Sequence, residues 1–101
     1  MVEHVRNSAQ TIGATALIVV PTLEVGKRNA ISIINTSTGG QIITLSWGVE
    51  AQAGKGIVLF TGGSWSESRD NVFTPSTEQI WAISSAAAGT LAIHDRIESE
   101  N

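Results

Sequence analysis

The sequence contains no cysteine, which removes disulfides, thiolate metal ligation and a cysteine nucleophile together. That fits a reducing compartment. Histidine is almost as scarce: His4 and His94 stand at opposite ends of the chain and make no metal site between them. Charged residues are 15 % of the 101, against roughly 25 % in an ordinary soluble domain. The net charge of -3 is scattered, so there is no basic patch of the kind that binds nucleic acid. Apolar runs are short as well. The longest, Ala16 to Pro21, is far below bilayer-spanning length, and no membrane partner is expected. The first ten residues, "MVEHVRNSAQ", lack the apolar stretch of a signal peptide. Amphipathic helical patterning is also missing; "SSAAAG" has helical composition but is too short to stand alone.

What is present is β-forming. Ile, Val and Thr number 30 against 5 Leu, and Ser plus Thr, 21 residues, supply much of the polarity. A chain of this length is one domain with a modest core. A surface with so few charges is poorly protected against sheet-edge association, which points to cover by partner subunits.

Along the chain, residues 1–10 are polar without a strong period and read as an N-terminal arm. "TIGATALIVVPTLEV" is β-rich, with Pro21 marking an edge or a bend. In "RNAISIINTSTGG", Ile31 and Ile33 alternate with Ser32 and Ile34, and the run ends in turn-type residues. "QIITLSWG" resumes with Ile43, Leu45 and Trp47 on one face, so these two strands predict an antiparallel hairpin. "GVEAQAGKG" is a loop, and "IVLF" is a short strand closed by Thr61-Gly62-Gly63. "SWSESRD" alternates Ser with Trp65 and Glu67 before a polar loop containing Pro75. "QIWAISS" places Trp81 and Ile83 on one face, and "TLAIHDRI" is the last strand. Residues 98–101 read as a solvated tail. About seven short strands over a single domain, 11–97, predict an all-β fold without significant helix: an antiparallel β-sandwich, jelly-roll-like, or a small barrel.

No residue set states a chemistry. Gly48 and Gly54 enclose five residues where a phosphate loop has four, and Gly56 follows Lys55 where Ser or Thr would hold magnesium. Ser64 follows two glycines, but a nucleophile elbow leads into a helix and "SWSESRD" is not helical. His94 and Asp95, adjacent on a strand, point to opposite faces. No catalytic residue, metal ligand or cofactor is therefore expected. Asn35-Thr36-Ser37 matches a glycosylation acceptor but reads better as a turn. The tryptophans belong to the core or to a subunit interface, Trp65 being the one that could instead be shown to a ligand. Gly62 and Gly63 let the chain turn where a buried strand leaves one sheet, with Trp65 covering the corner.

Across residues 28–97 the order "ISIINTSTGG", "IITLSWG", "GIVLFTGGS" and "IWAIS" resembles small structural proteins of tailed phages and related viruses. Such proteins often carry Pro before the glycine turn and Tyr in the late strand; here Thr61 and Trp81 stand there. The resemblance implies a compact β-sandwich on a virion exterior or in a fibre or spike, often trimeric, and carries no site residues. The resulting expectation is a non-enzymatic virion component made in the host cytoplasm, either a capsid decoration (cement) protein or a spike or fibre-base domain. It would contact copies of itself and the major capsid protein, with the arm latching onto a neighbour. The alternative is a carbohydrate-binding module using Trp65, with Glu67, Arg69 and Asp70 as hydrogen-bonding partners.

Overall fold

β-branched residues alternating with small polar ones build eight strands in the computed structural model, which describes residues 2–99. They are β1 (Val2–Ile12), β2 (Leu17–Val20), β3 (Lys27–Asn35), β4 (Ile43–Trp47), β5 (Ile57–Leu59), β6 (Ser64–Ser68), β7 (Ile80–Ser84) and β8 (Gly89–Ser99). Every pairing is antiparallel. One sheet has the order β1-β8-β3-β6 and the other β2-β7-β4-β5. The pairs β1·β8, β2·β7, β3·β6 and β4·β5 nest inside one another, which is the wrap of a jelly-roll sandwich. The sandwich is thus as expected, and no helix occurs among the described residues.

Alternate residues of both sheets meet between them. Ile12, Val19, Val20, Ile31, Ile33, Ile43, Leu45, Leu59, Ile80, Ala82, Leu91 and Ile93 form one continuous core. Each fully buried Ile or Leu there contributes about 1.5–3 kcal/mol.

Three expectations are corrected. The polar arm, where it is described, is the outer strand β1, paired residue for residue with β8 from Val2↔Ser99 to Ile12↔Gly89. It carried no readable period because nearly all of its side chains from residue 2 to 9 are exposed, whichever face they are on. Likewise Glu98 and Ser99, expected in a solvated tail, close β8; residues 100–101 lie outside the described ones.

The predicted hairpin of residues 28–47 does not form either, because β3 and β4 lie in opposite sheets. Asn35 diverts the chain at that corner. Its Nδ2 donates to the carbonyls of Gln41 (2.8 Å) and Leu59 (2.9 Å), and its Oδ1 accepts from Ser37 N (3.0 Å). The segment "FTGGS" crosses back at the same place. Gly62 N donates to Asn35 O (2.8 Å), and Asn35 N donates to Gly63 O (2.9 Å). Gly62, at φ +79°, supplies the left-handed backbone that the crossing from β5 to β6 needs.

Candidate functional site: two sheet faces and an aromatic cleft

The outward face of the β2-β7-β4-β5 sheet is apolar. Ile18 lies opposite Trp81, and Ile83 lies opposite Thr44, which in turn faces Val58. Phe60 continues the row and is 64 % exposed. None of Ile18, Val58, Phe60, Trp81 and Ile83 has a charged neighbour in this ladder. Trp81 and Ile83, grouped together by their alternation, therefore point away from the core, while Ile80 and Ala82 point into it. Thr44 and Ser46 face outward yet are buried, since the loop 48–56 folds back across them. Gly54 N donates to Thr44 Oγ1 (3.1 Å), and Ala51 is buried beneath the loop.

The outward face of the β1-β8-β3-β6 sheet is small and almost uncharged over most of its length. Asn7, His94, Ser32 and Ser66 form one row, and Ala9, Ala92, Ile34 and Ser64 the next. Charges gather at the far end, where Arg96 Nη1 stands 3.8 Å from Glu3 Oε2. His94 belongs to this outer face, with Nδ1 2.7 Å from Asn7 Oδ1, while its neighbour Asp95 points inward and is buried.

The inward face of that sheet carries a charged row: Arg6, Asp95, Ile31, Glu67. Arg6 grips Asp95 in two bonds, Nε to Oδ1 (2.8 Å) and Nη2 to Oδ2 (2.5 Å). This bidentate pairing holds the Arg6 pKa above its ordinary value. Arg28 is 0 % exposed beside them. Its Nη1 donates to Ser76 O (2.6 Å) and its Nε stands 3.8 Å from Asp95 Oδ2, while Nε and Nη2 lack hydrogen bonds. Burial pushes the Arg28 pKa down, against the pull of Asp95. Burial likewise pushes the Glu67 carboxyl up, and the charge of Arg28 opposes it.

Beside this row, at the edge where β5 and β6 face each other, opens a cleft of about 420 Å³. Trp47, Ile57 and Trp65 form its apolar walls, Phe73 and Thr74 its rim, and Glu67 and Ser76 add polar groups. Trp47 and Trp65 meet edge to face, with ring centroids 4.8 Å apart and planes at 70°, so they join the two sheets.

Of the four residues singled out from the sequence, the structure brings Trp65 and Glu67 together in this cleft. Arg69 does not line it; its Nη2 stands 3.5 Å from Glu98 Oε2. Asp70 acts one step removed. Its Oδ1 accepts from Val72 N (2.8 Å) and Phe73 N (2.9 Å), closing the turn that presents Phe73. Sequence reasoning missed Phe73, Trp47 as a cleft wall, and Arg28. A ladder irregularity between Arg28 and Ala30 reverses the strand's alternation, so no local pattern could have turned Arg28 inward. No cluster of three or more His, Asp or Glu able to hold a metal occurs among the described residues.

No protein-family model and no curated protein matches the sequence. Among solved structures, the fold is similar to a subunit of Bacillus endospore appendages, a family of disulfide-linked pili. The TM-score is 0.59 at 23 % identity, over 98 % of this chain and 88 % of that one. It is also similar to the Yersinia pseudotuberculosis-derived mitogen, with a TM-score of 0.51 at 11 % identity over 99 % and 90 % of the two chains. At these identities the likeness is one of fold: a small all-β sandwich shared by proteins of different roles.

Proposed function

We propose that this protein is a non-enzymatic structural subunit that works by laying its sheet faces against copies of itself in a larger assembly. The observation that carries this reading is the outward row of Ile18, Trp81, Ile83, Val58 and Phe60, apolar side chains on the outside of a folded sandwich that flank the loop 48–56. Such a face is costly in contact with water and marks a contact site. The fold's likeness to a pilus subunit supports a polymeric setting, and the strand order of residues 28–97 supports a virion component of the decoration or fibre-base type, made in the host cytoplasm. With no cysteine, these residues supply no disulfide to such a polymer. Many weak copies of one contact then stabilise the assembly through multivalency. Sedimentation velocity over a wide concentration range tests the reading. Concentration-dependent oligomers, trimers foremost, support it; a monomer at the highest concentrations overturns it.

A further inference from the structure

We infer that the cleft between β5 and β6 binds a neutral saccharide. Four observations define the ligand. The walls are aromatic, from Trp47 and Trp65, with Phe73 at the rim, so the ligand has an apolar face that can lie against an indole. The polar groups are Glu67, Thr74 and Ser76, so the ligand brings hydroxyl groups: a carboxylate accepts from them, and a hydroxyl both donates and accepts. A pyranose ring, with one C–H face and a rim of hydroxyls, combines both properties.

Charge then decides against the alternatives. Among the residues lining the cleft, Glu67 is the ionisable one, and the opposite charge that it feels is that of the buried Arg28. An ammonium ligand attracted to the indoles and Glu67 is opposed by Arg28, and an anion drawn towards Arg28 is opposed by Glu67. A neutral ligand leaves this balance intact. At about 420 Å³ the cleft falls at the small end of ligand pockets, with room for a mono- or disaccharide. The turn closed by Asp70 fixes the rim residue Phe73 in advance, which lowers the ordering cost of binding. This site is independent of the outward sheet faces, so either can fail without the other.

Tryptophan fluorescence of the full-length chain, titrated with glucose, galactose, N-acetylglucosamine and cellobiose, tests the inference, with tetramethylammonium chloride and sodium acetate as charged probes. A saturable change at millimolar or lower concentration is expected for at least one sugar. Phe73→Ala and Glu67→Gln should each weaken it by about tenfold or more without lowering the melting temperature. Both sites are at the rim or partly exposed, so both variants fold; Trp81→Phe, on the far side of its sheet, should leave the response in place. The inference is overturned if no sugar gives a saturable change, if a charged probe binds more tightly than every sugar, or if both cleft variants bind like the parent.

Discussion

Arg28 and Asp95 form a buried ion pair that is open by hydrogen-bond standards: Nε stands 3.8 Å from Oδ2, with neither charge more than 4 % exposed. Asp95 is committed elsewhere, in its bidentate grip on Arg6. One carboxylate therefore serves two guanidinium groups, and Arg28 keeps two nitrogens without hydrogen bonds.

Removing the shared anion should thus be far worse than removing the buried cation. Asp95→Ala leaves Arg28 uncompensated in the interior and is expected to cost about 3–5 kcal/mol. Arg28→Met replaces an under-satisfied charge with an apolar chain of similar length and is expected to be near neutral, or stabilising. Urea unfolding of the two variants beside the parent checks this. A larger loss for Arg28→Met than for Asp95→Ala would refute this account of the cluster.

Glu67 gives a pH-dependent prediction. Burial raises its folded-state pKa, so the folded chain holds this proton more tightly than the unfolded chain does. Its contribution is fully present below the unfolded value, about 4.3, and is lost as pH rises through the folded one. At neutral pH the ionised carboxylate is thus a net cost. Glu67→Gln should raise the melting temperature at neutral pH, with the gain shrinking as the pH falls towards the unfolded carboxyl's pKa. Thermal unfolding across that range measures it, and a gain independent of pH would assign the effect to packing instead.

The corner at Asn35 predicts a loss that its residue type alone would not suggest. Asn35→Ala removes the side-chain donor to the Gln41 and Leu59 carbonyls and the acceptor of Ser37 N, leaving Gln41 O only the long bond from Thr61 Oγ1 (3.4 Å), at the point where the chain changes sheets twice. At about 1–3 kcal/mol for a buried polar group left without its partner, a loss of at least about 2 kcal/mol is expected. Asn35→Asp should cost more, since it turns an oxygen, and a charge, towards those carbonyls. Equilibrium unfolding in urea distinguishes the two.

Asn35 also marks the limit of what the sequence reveals. Alternation of Ile31 with Ile33, and of Ile43 with Leu45, identified core strands, because a half-buried strand writes its period into the residues. The Gly62-Gly63 crossing was legible from its turn-type residues. Pairing was not. β3 bonds to residues 64–68 and 91–98 and not to its neighbour β4, and no local pattern encodes which sheet a strand joins. β1 was hidden by having little buried on either side, and Arg28 by a ladder irregularity. Of the candidate site, Trp65 and Glu67 shared a strand face and could be found together, whereas Phe73 reaches them through a turn that folds back in space.

The outward apolar face yields the prediction on which assembly turns. Phe60 follows β5, and Val58 alternates outward within it; neither belongs to the buried core. A lysine at either position keeps its charged end in water, so Phe60→Lys and Val58→Lys should change folding stability by no more than about 0.5 kcal/mol. In an oligomer built on this face, the same lysine must be buried opposite apolar side chains without a carboxylate near, a desolvation cost that weak contacts cannot offset. Ser66→Lys, on the other sheet's outer face, serves as the matched charge change. Light scattering coupled to size exclusion should show the first two variants shifted to monomer at concentrations where the parent and Ser66→Lys remain assembled. If Ser66→Lys alone dissociates the assembly, the contact lies on the serine-rich sheet, and Ile18, Trp81, Ile83, Val58 and Phe60 are not the assembly face.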